Sequence, residues 1–251
     1  MELLLGPALQ WKHLLPRMIN LSARSHQKEL LDNDAIPFAD IQQNMIELNT
    51  INTLLGGHSI TISGLQKIIS CGGMPKKISI CEIGCGGGDN LLALQHWCAK
   101  QQIDATFTGI DIQAACIEFA KEHSKNLSAN WIVADYADVK FIQPPDIIFS
   151  SLFCHHFSSA QLIEMLQWMK KNAAKGFFIN DLHRHPLAYY SIKIITRIFS
   201  GSYLVKNDAP LSVARAFKKN DWQELFLKSG IQKYTVQWKW AFRYLIVHCN
   251  E

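Results

Sequence analysis

The chain has 251 residues, 48% of them hydrophobic and 18% charged, with a formal net charge of +4. That much apolar surface suits one packed domain with an elaboration and excludes a disordered chain. The mild positive charge comes without a Lys/Arg run, so no nucleic-acid partner is expected.

The stretch from Met1 to Pro7 is apolar, but it lacks the basic start and the small-residue cleavage site of a signal peptide. No apolar run is long enough for stable membrane insertion, and a cytoplasmic location is expected. Residues 1–17 read as an extension ahead of the better-patterned sequence that follows Met18. The seven cysteines form no CxxC pair and mostly lie in apolar runs, which reads as buried free thiols of a reducing compartment. No metal site is expected, because ligand pairs at zinc spacings are missing.

Residues 18–70 read as helical. Ile41, Met45, Leu48, Ile51 and Leu55 recur at spacings of three and four, Gly56-Gly57 ends the run, and a second helix covers 61–70. From there short apolar runs alternate with amphipathic stretches. Strands are predicted at 77–83, 105–110, 130–134, 146–150 and 176–180, and helices at 90–100, 114–123 and 160–171. This alternation implies parallel strands joined by right-handed crossovers. The order breaks at the end, where 231–238 and 242–249 are adjacent alternating runs and hence an antiparallel pair. The expected fold is an α/β three-layer sandwich with a seven-stranded, mostly parallel sheet ending in an antiparallel hairpin. An N-terminal extension and helical cap (1–74) precede a core (75–251) with a lid-like insertion at about 182–217.

At Ile80–Asn90 an apolar strand runs into Gly84-x-Gly86-x-Gly88 and then into a helix. Glycines suit a sharp turn at a strand end where a ligand approaches the backbone without Cβ interference. The dinucleotide fingerprint needs glycine where this chain has Asp89. A carboxylate there is poorly suited to a pyrophosphate but compatible with a cofactor that carries an ammonium and a sulfonium.

Glu82-x-Gly84-x-Gly86-x-Gly88 resembles motif I of the class I S-adenosylmethionine-dependent methyltransferases. The resemblance covers about residues 75–251. It implies that the glycine loop wraps the methionine part of S-adenosylmethionine and that Asp111, ending the second strand in Gly-Ile-Asp-Ile, accepts both ribose hydroxyls. It places Asp135 on the adenine amino group with Tyr136 beside the ring, and adds Cys85, Ile112 and Ser151 to the cofactor-binding set.

Subclass signatures are read by what is missing. There is no Asp/Asn-Pro-Pro-aromatic segment after the fourth strand and no Pro-Cys nucleophile, and Ser150-Ser151 stands where metal-dependent catechol enzymes need a carboxylate. This leaves metal-independent transfer to a small-molecule acceptor, with O-methylation favoured. The segments 180–190 and 208–217, with Leu54-Leu-Gly-Gly-His58, resemble bacterial methyltransferases of secondary metabolites, often phenolic or polyketide-derived. Removing a proton from such an acceptor needs a base, and histidine is the natural one. The candidates are His156, then His155 and His183. Residues 187–200 form an apolar helix with a narrow polar stripe, readable as a packed helix, a lid over an apolar pocket, or a contact for a membrane or quinone-like lipid. A protein or RNA methyltransferase, a quinone or lipid-like acceptor, and a non-catalytic binding module are the alternatives; a homodimer is left open.

Overall fold

Seven strands carry the computed structural model, which describes residues 19–33 and 36–250. They are β1 (Lys77–Ile83), β2 (Asp104–Asp111), β3 (Ala129–Val133), β4 (Ile147–Ser151), β5 (Gly176–Leu182), β6 (Thr235–Lys239) and β7 (Arg243–Cys249). The sheet order is β3-β2-β1-β4-β5-β7-β6. Strands β1 to β5 pair in parallel, and β7 lies antiparallel to both β5 and β6. This is the expected fold class, and the strand ends lie within a few residues of their predicted places.

Alternation along each strand builds two cores. Ile78, Ile80, Phe149, Phe178 and Leu245 face α2 (Gly57–Gly72) and α3 (Asp89–Lys100). Cys81, Ile83, Ile148, Phe177 and Ile246 face α5 (Ser159–Asn172) and α8 (Lys219–Ser229). A two-residue period sends neighbours to opposite faces, so a central strand buried on both sides reads as an unbroken apolar run. The starts and stops are local. A capping box of Ser158 and Gln161 opens α5. Pro186 sits at the first turn of α6 (Pro186–Phe199), where its missing N–H costs nothing. Gly230, at φ +73°, closes α8.

Four expectations change. The helical reading of residues 18–70 fails over 19–33, where the chain is an extended strap with one short 3-10 turn at Leu30–Asp32. Helix proper starts at α1 (Phe38–Leu54), and α2 begins at Gly57, directly after the left-handed Gly56. The strap is held by α7 (Tyr203–Arg215): Ser25 N–H donates to the Ala214 carbonyl, and the Leu30 and Leu31 N–H groups donate to the Asp208 carboxylate at 2.8 and 3.0 Å. Such long-range partners replace the local helix ladder. Second, a helix that was not predicted, α8, follows residues 182–217 and packs in the core through Trp222, Leu225 and Phe226. Third, α6 presents Leu187, Tyr190, Ile194, Ile198 and Phe199 to solvent, and among its residues only Ala188 and Thr196 are buried. Fourth, Cys71 and Cys249 are disulfide-bonded, so five of the seven thiols are free, all buried. No helix among the described residues is long and apolar enough to cross a membrane. The reading of residues 1–17 lies outside the described residues.

Candidate active site

The carboxyl ends of β1 to β5 form one edge, and nearly every candidate residue lies there. At β1 the chain turns through Gly84, Gly86 and Gly88, all at positive φ (+65°, +49° and +77°). A Cβ on Gly84 would stand 2.2 Å from the Phe153 ring, and one on Gly88 2.5 Å from Trp131. Both glycines are therefore required by backbone conformation and by packing from beneath. Gly86 differs: a Cβ there would meet only the Met45 sulfur, at 3.5 Å, so the loop keeps an open face under α1.

Asp111, at the end of β2, fastens this loop. One carboxylate oxygen accepts the Gly86 N–H at 2.9 Å and the other the Gln113 N–H at 2.9 Å. Each oxygen retains a further lone pair for another donor. Burial raises the Asp111 pKa, opposed by these N–H groups and by the charge of His156. Cys85 is buried, with its N–H on the Ile110 carbonyl. Ile112 is exposed beside Asp111. Asp135 caps the short turn at Tyr136–Asp138 through the Ala137 N–H, and Tyr136 packs edge-on against Phe153, Phe157 and Trp168.

Glu82 is buried and receives the Asn90 amide at 3.0 Å on one oxygen. Its other oxygen has no hydrogen-bond partner among the described residues. Burial, with Asp89 and Asp111 nearby, pushes its pKa well above the usual carboxylate range. Asn90 also accepts from Thr61, which accepts from Asn180, which donates in turn to Ser151. A polar chain thus runs from the glycine loop to the ends of β4 and β5. Asp89, which is compatible with a cationic cofactor, takes His58 Nε2 at 2.6 Å and the Asn52 amide at 3.1 Å, both from the cap. The groove between α1, α3 and α4 (Ala114–His123), about 290 Å³, touches Gly87 and Asp89 but none of Glu82, Asp111 or Asp135.

Past β4 a 3-10 turn at Cys154–His156 carries two of the three candidate bases. His155 Nδ1 lies 2.8 Å from Asp181 and His156 Nδ1 2.9 Å from Asp32. An ionised carboxylate only accepts, so each Nδ1 carries a proton, and in the neutral ring Nε2 is the nitrogen that holds the lone pair. Both Nε2 atoms face Glu29 of the strap, at 3.6 and 3.7 Å. Glu29 is buried, accepts from Ser212, and is pushed up to about 7, chiefly by burial. Arg215 and Arg24 fasten the turn from behind by donating to the carbonyls of His155, His156 and Phe157. His183 stands apart from this cluster. Its ring packs against Tyr244, His185 and Phe242, and burial with nearby positive charge pushes it down to about 4.

The sequence reading assigned no role to Glu29, Asp32, Asp181, Asp208 or Arg215. Asp181 directly follows the strand residue Asn180, which was a usable signal. Glu29 and Asp32 lie in a segment without helical or strand periodicity and offered none.

Residues 80–176 match a family model described as a methyltransferase domain. A sequence search of curated proteins finds no match. Among solved structures, the chain is similar to magnesium protoporphyrin IX methyltransferase (ChlM) from Synechocystis PCC 6803 with bound SAH: 15% identity, TM-score 0.52, covering 78% of this chain and 84% of that one. It is also similar to the plantazolicin methyltransferase BpumL with SAH: 20% identity, TM-score 0.58, covering 83% and 76%. The same enzyme with a monoazolic desmethylPZN analog and SAH gives 20% identity, TM-score 0.57, and 79% and 72% coverage. At these identities the likeness is one of fold.

Proposed function

We propose that this chain, whose residues 80–176 match a methyltransferase-domain model, is a class I methyltransferase that methylates an oxygen of a small aromatic or polyketide-like acceptor using S-adenosylmethionine. The observation that carries the cofactor assignment is the open glycine cradle between two carboxylates with capacity to spare. Gly86 leaves room for a ligand, Asp111 retains lone pairs for a diol, and one buried oxygen of Glu82 lacks a donor. An unpartnered buried carboxylate oxygen is costly by itself and suits an ammonium group. Glu82, Gly84, Cys85, Gly86, Gly88 and Asp111 would hold the methionine and ribose parts. Ile112, Asp135, Tyr136 and Ser151 would line the remainder.

When bound, S-adenosylmethionine supplies an activated methyl group, and what the chain must add is positioning and proton removal. His156 is the base in this reading. It is held through Nδ1 by Asp32, keeps the Nε2 lone pair, and is partly open to solvent, whereas His155 is buried. A small acceptor is favoured because the strap and α7 close over this edge, which a folded protein or RNA would need open. The small-molecule methyltransferases among the similar structures agree with that.

Calorimetric titration with S-adenosylmethionine and its demethylated product is the first test. Binding of either, weakened by Asp111→Asn, is expected; if neither binds at up to about millimolar concentration, the proposal fails. Mass-spectrometric screening of phenols and quinones for the gain of one methyl group then identifies the acceptor.

A further inference from the structure

Glu29, His155 and His156 each offer one ligand atom, and these atoms lie within 4.8 Å of one another. We propose that they form a binding site for a divalent first-row transition metal, zinc being the reference case, that clamps the N-terminal strap onto the turn after β4.

The donor set, two imidazoles and one carboxylate, is that of open zinc and non-haem iron sites. Zinc at about 2.0–2.1 Å from each donor places tetrahedral donors about 3.4 Å apart. His155 Nε2 lies 3.6 Å from Glu29 Oε1 and His156 Nε2 3.7 Å from Glu29 Oε2, so each carboxylate oxygen stands within a few tenths of this from one imidazole, while one ligand atom from each residue brings the three donors within 4.8 Å. A tightening of the turn would close the widest separation in the group.

What distinguishes the cluster from an ordinary ion pair is the second set of carboxylates behind it. Metal-bound histidines characteristically donate their other ring N–H to a carboxylate, which fixes the tautomer and aims the lone pair. Both histidines here do so, His155 to Asp181 and His156 to Asp32, and the Nε2 atom of each lies near an oxygen of the same third carboxylate. One oxygen of Glu29, Oε1, is steered as well, by the Ser212 hydroxyl.

The local charge agrees. Four carboxylates (Glu29, Asp32, Asp181 and Asp208) surround the cluster, with the guanidinium groups of Arg24 and Arg215 behind the turn and that of Arg243 acting on Asp181. A divalent cation between the two imidazoles would be held by the buried Glu29 carboxylate and favoured by the carboxylates behind each ring. Arg215 is a competitor as well as a neighbour, since its Nε lies 3.8 Å from Glu29. That guanidinium also donates to the His155 and His156 carbonyls and to Gln27, so it stays behind the site rather than filling it.

The Nε2 atom of His156 has been given the acceptor's proton above, so metal and proton compete for it. Zinc therefore inhibits methyl transfer over the range in which it binds. This consequence rests on the proposed function; the site itself does not.

The test uses the full chain freed of any affinity tag and treated with a chelator, titrated with Zn2+ by calorimetry and with Co2+ by visible absorption. One equivalent per chain, saturating near equimolar at micromolar protein, is expected, with a matching rise in melting temperature. Glu29→Gln keeps the Ser212 bond and the fold, and His156→Ala removes one ligand; each weakens binding at least about tenfold. His96→Ala, an exposed histidine, leaves it unchanged. Substoichiometric binding, or binding that Glu29→Gln and His156→Ala leave intact, overturns the site. Binding without inhibition overturns His156 as the base and leaves the site standing.

Discussion

The two halves of the functional edge are built by opposite means. Around β1 and β2, residues close in sequence do the work: Gly84 to Gly88 turn the chain, and Asp111 at the next strand end pins the turn. Around β4 and β5, the working groups come from the strap, the turn after β4, the end of β5 and α7. Glu29 meets His155 across more than a hundred residues, and Asp208 holds the backbone of Leu30 and Leu31. The first half is a local device carried on a rigid strand; the second exists only while the strap is seated. Damage to the first half should abolish cofactor binding outright. Damage to the second should spare the cofactor and impair what happens beside it.

The largest expected effect is at Gly84. Gly84→Ala places a Cβ against the Phe153 ring at a positive φ, which costs about 2 kcal/mol or more and drives the loop out of place. S-adenosylmethionine affinity by calorimetry should fall at least about a hundredfold. An unchanged affinity would break the contrast, since it would mean that the loop is not the cofactor cradle.

Asp208→Ala comes next. It leaves two N–H donors of the strap without their acceptor, worth about 2 kcal/mol in a chemical melt. Limited proteolysis should then cut within residues 19–33, while cofactor affinity stays within about twofold. A parallel loss of cofactor affinity would show that the two halves are one unit.

A smaller effect concerns His183. Its pKa in the folded chain, about 4, lies below the value of about 6.5 expected in the unfolded one. A lowered histidine pKa means that the fold favours the neutral ring. This contribution is complete above about pH 6.5 and is lost as pH falls toward 4. The partial exposure of the ring keeps it modest. The melting temperature of the native chain should drop between pH 7 and 4.5 by a few degrees more than that of His183→Gln. Equal drops would remove His183 from the list of buried groups.

The smallest change in stability is expected on α6. Phe199→Ser and Ile198→Ser alter side chains that are already largely exposed, so each should stay within about 0.5 kcal/mol. A drop in methyl transfer at unchanged stability would place this apolar face against the acceptor.

Most of the sheet was legible because its information is short-ranged. Apolar runs such as Ile78–Ile83 and Ile147–Phe149, punctuated by Gly84 and by the Ser158 capping box, mark strands and helix starts within a few residues. The glycine-loop half was legible for the same reason, since a turn that needs glycine must show it in sequence. Helix α8 carries a readable trace in Trp222, Leu225 and Phe226, spaced three and four apart. Helix α7 was harder, because buried polar residues such as Asp208, Ser212 and Arg215 blur its apolar period.

The sequence by itself thus determined the class of sheet, the closing antiparallel hairpin and the glycine loop with Asp111 behind it. Each depends on patterns of period two or on the conformational freedom of single residues. Only the tertiary structure decided that residues 19–33 are a strap rather than helix, that Asp89 faces the cap, and that Cys71 meets Cys249. It alone aimed His155 and His156 at Glu29. The physical reason is that these contacts satisfy buried polar groups with partners distant in the chain. Nothing in the local pattern around a carboxylate tells which distant N–H or imidazole will reach it.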